Sequence, residues 1–175
     1  GDKLAKGDLA LREKLLIHLS DGRPLRSANN LTAEEALRLP QLQLLTSKPV
    51  LYVCNVTEDD AATGNELCRL VSKKSTAEGA AQVIVSAAIE SEIAQLDDDD
   101  KTEFLSGLGL EEPGLTRLIS AGYSLLDLLT FFTVGPKEAR AWTVARGATA
   151  PEAAGVIHTD FQRGFIRTET IAYED

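Results

Sequence analysis

Residues 50–58, Val50-Leu51-Tyr52-Val53-Cys54-Asn55-Val56-Thr57-Glu58, constrain this chain more than any other segment. An apolar run rich in β-formers gives way to an amide and, three residues on, a carboxylate. That is the pattern of a buried strand presenting polar groups at its carboxyl end. A second run, Val83-Ile84-Val85, leads into Ser86-Ala87-Ala88, and between the two Gly64 marks a turn and Asn65 caps a helix predicted to about Lys74. Strand, helix, strand is a βαβ unit, whose strands are parallel and whose carboxyl ends share one edge. Two such tips can wall a pocket for a flat base. No Gly-x-x-x-x-Gly-Lys-Ser/Thr run occurs in the sequence, so this base-reading half-site stands without a phosphate-binding loop.

The 175 residues are 43% apolar, enough for one or two domains with a real core and too apolar for disorder throughout. No apolar run reaches the roughly 18–20 residues of a membrane span, and no basic-then-apolar leader opens the chain. A cytoplasmic protein with no membrane partner is the expectation. Cys54 and Cys68 lack Cys-x-x-Cys spacing and a nearby His, so they read as buried free thiols rather than metal ligands. The net charge of −9 is uneven: residues 1–54 carry eight Lys/Arg against six Asp/Glu, residues 55–128 five against fifteen, and residues 129–173 five against four. A nucleic-acid contact should therefore avoid the middle of the chain.

Leucines recur at roughly helical spacing over residues 3–19, until Asp21-Gly22-Arg23-Pro24 stops the pattern. Thr32-Ala33-Glu34-Glu35 is a capping-box signature for a second helix, which Pro40 should bend or divide. Residues 1–47 thus form a helical arm, with His18 expected on its exposed face. A short helix is predicted near Ser91 to Gln95. Asp97-Asp98-Asp99-Asp100 precedes another helix ending near Gly107; the run lacks the Gly and Glu of a calcium loop and reads as a solvated helix cap. Pro113-Gly114 opens a further helix. Leu128 to Val134 and Ala139 to Val144, separated by Gly135-Pro136, suggest a hairpin; Thr149-Ala150-Pro151-Glu152 starts a helix, and Phe165 to Tyr173 is predicted as a further strand.

This ordered series resembles the YchF/Obg-like ATPase family of translation-associated P-loop proteins. The resemblance rests on Lys48 through Glu58, Val83 through Ser91, Gly109 through Leu115, Lys137 through Val144 followed by Gly147 through Pro151, Ile157 through Phe161, and Arg163 through Arg167. It implies an α/β plus α+β chain in three parts. Residues 1–47 would be the returning part of a helical coiled-coil arm, 48–124 the C-terminal part of an OBG-type P-loop NTPase sheet, and 125–175 an incomplete β-grasp TGS domain. The P-loop, switch regions and Mg2+ ligands would then precede Gly1 and the last TGS strand would follow Asp175, making the chain a fragment.

The resemblance further implies a ribosome-associated parent that binds and hydrolyses ATP, with GTP as the alternative nucleotide. Related GTPases read guanine with Asn-Lys-x-Asp. Here Val56 stands for the Lys and Glu58 for the Asp, which should weaken guanine selection and favour adenine. Asn55 would buttress the pocket, Val56 would line it, and the Ser86-Ala87 backbone would lie beside it. From the residues alone, Asn55 and Glu58 serve equally as a strand-end turn and a helix-capping acid. No residue is expected to act catalytically or to hold metal, so the chain by itself should not hydrolyse nucleotide. Lys137, Arg140, Arg146, Arg163 and Arg167 form a contact surface for ribosomal RNA or protein if they share a face; scattered solvated charges are the equal alternative. His158 reads as a structural histidine, and Trp142 and Phe161 as core residues. The runner-up function is a non-enzymatic protein or RNA interaction module built on a residual nucleotide fold. Missing sheet neighbours would leave strand edges exposed, which favours self-association.

Overall fold

A computed structural model describes residues 2–172, with side chains from residue 5 onward. It divides into two compact units, Gly1–Gly122 and Tyr123–Asp175. The first opens with helix α1, Asp2–Ser20. Leu11 and Leu15, one helical turn apart, are buried with Leu25 of the 3-10 turn Leu25–Ser27, and Leu19, Leu31, Leu39, Leu42 and Leu44 pack against them. Helix α2, Ala33–Arg38, begins with the complete Thr32/Glu35 capping box. Pro40 then converts the chain to the 3-10 turn Leu39–Leu42. Ion pairs Lys14–Glu35 (2.9 Å) and Arg38–Asp8 tie α2 to α1.

His18 is not on an exposed face: only 5% of it is accessible, and its Nε2 lies 3.0 Å from the Pro24 carbonyl oxygen and 3.2 Å from Ser27 Oγ. The chain reverses at Asp21-Gly22 and folds back over the last turn of α1, covering a side that periodicity alone leaves open. The opposite side stays bare, with Leu9, Leu16 and Ile17 each more than half exposed.

Strands β1, Leu51–Asn55, and β2, Ala81–Val85, pair in parallel with Val53 opposite Val83, joined by helix α3, Glu66–Glu78. Asn65 caps α3 by accepting from the Cys68 amide (3.1 Å). Gly64 is required on two counts: its φ is +69°, and an added Cβ would lie 2.7 Å from Ile84 Cδ1. Helices α4, Ala87–Ile93, α5, Asp98–Gly107, and α6, Gly114–Leu125, follow. Helix α4 starts four residues before the expected Ser91, because Ser86 already occupies the N-cap position directly after β2. Three of the four aspartates, Asp98 to Asp100, form the first turn of α5, where acids complement the helix dipole. Ala61, Ile89, Ile93, Leu105 and Leu110 make the core of this region.

One carboxylate joins the N-terminal helical region to the sheet. Glu78, 8% exposed, accepts from Arg26 Nη2 (2.6 Å) and Nε (3.2 Å) and from Tyr52 Oη (2.8 Å), and its other oxygen pairs with Lys74 (2.9 Å). Lys74, Arg26 and Tyr52 together hold its carboxyl down to about 2.

The second unit contains strands β3, Leu128–Val134, and β4, Ala139–Ala145, paired antiparallel, then helices α7, Ala150–Ile157, and α8, Thr159–Arg163. The strand expected over Phe165 to Tyr173 does not form: residues 165–172 have no regular structure, and Tyr173 lies outside the described residues. Its β-prone sequence finds no ladder, since β3 and β4 pair only with each other among the described residues, and a strand is stabilised by its cross-strand neighbours. Ile166 (91% exposed) and Ile171 (88%) are left in solvent. Phe161 is likewise exposed rather than core, and Val144 is the buried apolar side chain of this unit among the described residues.

The Glu78 cluster makes stability pH-dependent. Its folded-state titration lies below the ordinary 4.5, so its contribution is complete above that value and is lost as pH falls toward about 2. Glu78→Gln should lower the melting temperature at pH 7, and the gap to wild type should narrow steadily between pH 5 and pH 3. A gap that stays constant over that range would show that Glu78 is not ionised in the folded protein.

Candidate functional site

The βαβ crossover brings the ends of β1 and β2 to one edge, where a hydrogen bond joins them: the Ala87 amide donates to Asn55 Oδ1 (3.0 Å). The ladder continues one step further, with the Val56 amide donating to the Val85 carbonyl (2.9 Å). Asn55 and Val56 are therefore held by β2, and their loop cannot drift from the second tip. Beyond them Glu58 opens the 3-10 turn Glu58–Asp60, whose last residue accepts from Asn65 Nδ2 (2.8 Å). The loop is thus fixed at both ends. Glu58 is exposed, and its carboxylate has no hydrogen-bond or ion-pair partner among the described residues. A free acceptor beside an apolar Val56 and the exposed methyl of Ala87 is suited to a planar, amine-bearing ligand.

Ser86 plays another part. It is 2% exposed, and its Oγ finds no partner among the described residues. Its side chain lies beneath the edge rather than facing outward, so only backbone from this residue can contribute to a pocket wall. The Ala87 N–H is already committed to Asn55.

A contact that sequence reasoning passed over stabilises this edge. Glu90, on α4, accepts from the backbone amides of Gly114 (2.7 Å) and Leu115 (3.1 Å), capping α6 from 24 and 25 residues away. Gly114 permits this approach, since an added Cβ would lie 2.9 Å from Glu90 Oε1 and 3.2 Å from Val85 Cγ1. The sequence signal was an omission: α6 starts at Pro113-Gly114 with no Ser, Thr, Asp or Asn to cap it.

The five basic residues of the second unit have different surroundings. Arg140 stacks over Trp142, 4.2 Å from the ring centroid, and Trp142 Nε1 donates to Thr133 Oγ1 (2.9 Å). Arg146 pairs with Asp127 (3.1 Å). Lys137 is in the β3–β4 turn, Arg163 ends α8, and Arg167 lies in the irregular segment; all three are exposed. His158 caps α8, its Nδ1 accepting from the Asp160 amide (3.2 Å). Among the described residues no group of three or more His, Cys, Asp or Glu side chains is placed to hold a metal ion, and no helix is long and apolar enough to cross a membrane.

The βαβ unit with its following helices, and the hairpin with its two helices, define a mixed α/β class. A solved structure of the Schizosaccharomyces pombe YchF GTPase matches with a TM-score of 0.81 at 32% identity, covering 94% of this chain and 44% of that one. The YchF-GTPase_C family model, described as a protein of unknown function (DUF933), matches residues 128–175. The Haemophilus influenzae protein named Ribosome-binding ATPase YchF is 55% identical across the whole chain, and that of Bacillus subtilis 49% identical over 99% of it. The chain belongs to the YchF family, as part of its C-terminal region. It spans 48% of the length of each of those two relatives.

Removing the Glu90 carboxylate should destabilise the first unit by about 1–2 kcal/mol, the usual cost of losing a helix N-cap. Urea unfolding of Glu90→Ala and Gly114→Ala should show similar losses, since both break the same contact. If Glu90→Ala unfolds at the wild-type midpoint, the carboxylate does not cap α6 in solution.

Proposed function

We propose that this chain supplies the base-reading edge of a nucleotide hydrolase of the YchF family, with ATP as the preferred nucleotide and GTP as the competitor. The observation that carries the reading is the Asn55–Ala87 hydrogen bond, which closes the two strand tips into one rigid edge with Val56 and Glu58 beside it. An apolar Val56 offers no cation to pack along a base, and Glu58 carries one methylene more than the aspartate of guanine-reading loops. Both changes disfavour guanine. The relatives named ribosome-binding ATPases are similar over the full chain, which favours this reading over a scaffold without nucleotide.

In this reading residues 1–47 are the returning part of a coiled-coil arm, residues 48–124 the C-terminal part of the nucleotide domain, and residues 125–175 an incomplete β-grasp TGS domain. Phosphoryl transfer depends on a backbone cradle and Mg2+ to neutralise developing charge. No residue of this chain is assigned to either task; both fall to the remainder of the parent protein. Ribosome association is assigned to the exposed cations of the second unit, Lys137, Arg163 and Arg167 foremost, because Arg140 and Arg146 are engaged by Trp142 and Asp127. The exposed Phe132, Val134, Ile166 and Ile171 favour self-association of the isolated chain.

Titration with ATP, GTP and AMP, followed by amide NMR shifts, tests the proposal. Adenine-dependent shifts at Val56, Glu58 and Ala87 are expected, with a dissociation constant no tighter than about 1 mM because phosphate contacts contribute nothing here. Equal responses to ATP and GTP, or shifts confined to other residues, would remove the base-reading assignment.

A further inference from the structure

Strand β2 has a neighbour on one side only among the described residues. The Ala81 amide donates to the Val50 carbonyl (3.2 Å), and the Val85 carbonyl accepts from Val56 (2.9 Å). In a parallel ladder the residues that address one neighbour alternate along the strand. Ala81, Val83 and Val85 therefore address β1, and the backbone N–H and C=O groups of Gln82 and Ile84 point to the outer edge. A groove of about 610 Å³ runs along that edge, between α3 and Arg117 of α6, and Gln82, Val83 and Ile84 form part of its wall.

The polar lining is of one kind. Arg117, Arg69, Asn65, Ser72 and Thr76 face the groove with Gln82, and none of the residues lining it is an Asp or Glu. This is unexpected where it stands, since residues 55–128 carry fifteen acids against five bases and two of those five bases line the groove. Arg69 is committed to Glu66 (2.7 Å). The Arg117 guanidinium has no hydrogen-bond or ion-pair partner among the described residues, and its Nε is shielded from solvent. Arg117 as a whole is half-buried, so its terminal nitrogens remain within reach, and a guanidinium without a counter-charge favours a ligand that brings a carboxylate to them.

We propose that this groove is a docking site for an acidic peptide segment of a partner protein. The peptide binds extended, adding a strand to the outer edge of β2 through Gln82 and Ile84 while one of its carboxylates pairs with Arg117. Strand addition supplies the backbone hydrogen bonds, and the acid-free lining selects the charge. Away from the groove the surface repels such a ligand, because the chain carries a net charge of −9. Saturable binding of an acidic peptide is therefore local to the groove rather than a general attraction. This inference is independent of nucleotide binding, since it uses the outer edge of β2 and not its carboxyl end.

The test is fluorescence anisotropy with a fluorescein-labelled peptide of alternating Glu and Val, beside two controls: the same peptide with Lys for Glu, and one N-methylated at alternate backbone amides. The expected result is saturable binding with a dissociation constant of roughly 10–100 µM, with NMR shifts at the Gln82 and Ile84 amides. Both control peptides should lose it. Arg117→Ala should weaken binding about tenfold or more, the effect of removing one charge-assisted hydrogen bond, while Arg117→Lys recovers part of the loss. Circular dichroism and the amide spectrum establish that each variant is folded; should Arg117→Ala unfold, the N-methylated peptide on the wild-type chain decides. No saturation by about 1 mM peptide overturns the proposal, as does equal binding of the N-methylated peptide. Competition by inorganic phosphate with no shift at Gln82 or Ile84 overturns it too, in favour of a simple anion site.

Discussion

The parallel pairing of β1 with β2 is the constraint on which the first unit depends. A parallel pair cannot be closed by a tight turn, so the chain must cross over through a helix, and that helix covers one face of the pair. The crossover returns both strands in the same direction and brings two loops to one edge. Asn55 then secures what topology has brought close, accepting the Ala87 amide at 3.0 Å. Had the strands been antiparallel, Asn55 and Ala87 would lie at opposite ends of the sheet and no shared edge would exist.

Two carboxylates extend this order outward. Glu78 ends α3 and gathers Arg26 from the turn after α1, Tyr52 from β1 and Lys74 from its own helix, so the N-terminal helical region is joined to the sheet by charge-assisted bonds rather than by apolar packing alone. Glu90 does the same for α6 by occupying the amides of Gly114 and Leu115. Both are acids with several donors, a stable way to use charge in a partly buried place because the remaining lone pairs are also satisfied. The acidity of the middle of the chain is thus partly structural, with Glu78 and Glu90 as joints and Asp98 to Asp100 at a helix start.

What was legible in the sequence was what depends on near neighbours. The βαβ unit could be read from apolar runs, the Gly64 turn and the Asn65 cap; the divided second helix from Thr32, Glu35 and Pro40; the hairpin from Gly135-Pro136 between two β-prone runs. What depends on distant partners could not. His18 is buried because the chain reverses over it, and the amides of α6 are satisfied by a residue two helices earlier. The segment after Arg163 has the composition of a strand, but composition does not provide a second edge to pair with. At the candidate site, Asn55, Val56 and Glu58 stood out by type, whereas the burial of Ser86 and the engagement of the Ala87 amide required coordinates.

The central claim is that the loop after β1 chooses the base. The most direct measurement is the ratio of kcat/KM for GTP and ATP in a full-length family member into which this chain's segment has been placed, compared with the same protein carrying Val56→Lys and Glu58→Asp together. If the loop reads the base, the double substitution shifts that ratio toward GTP by about tenfold or more, the size of one base-edge hydrogen-bond mismatch. A ratio unchanged by both substitutions, in a protein that still turns over nucleotide, would contradict the account and place base selection elsewhere.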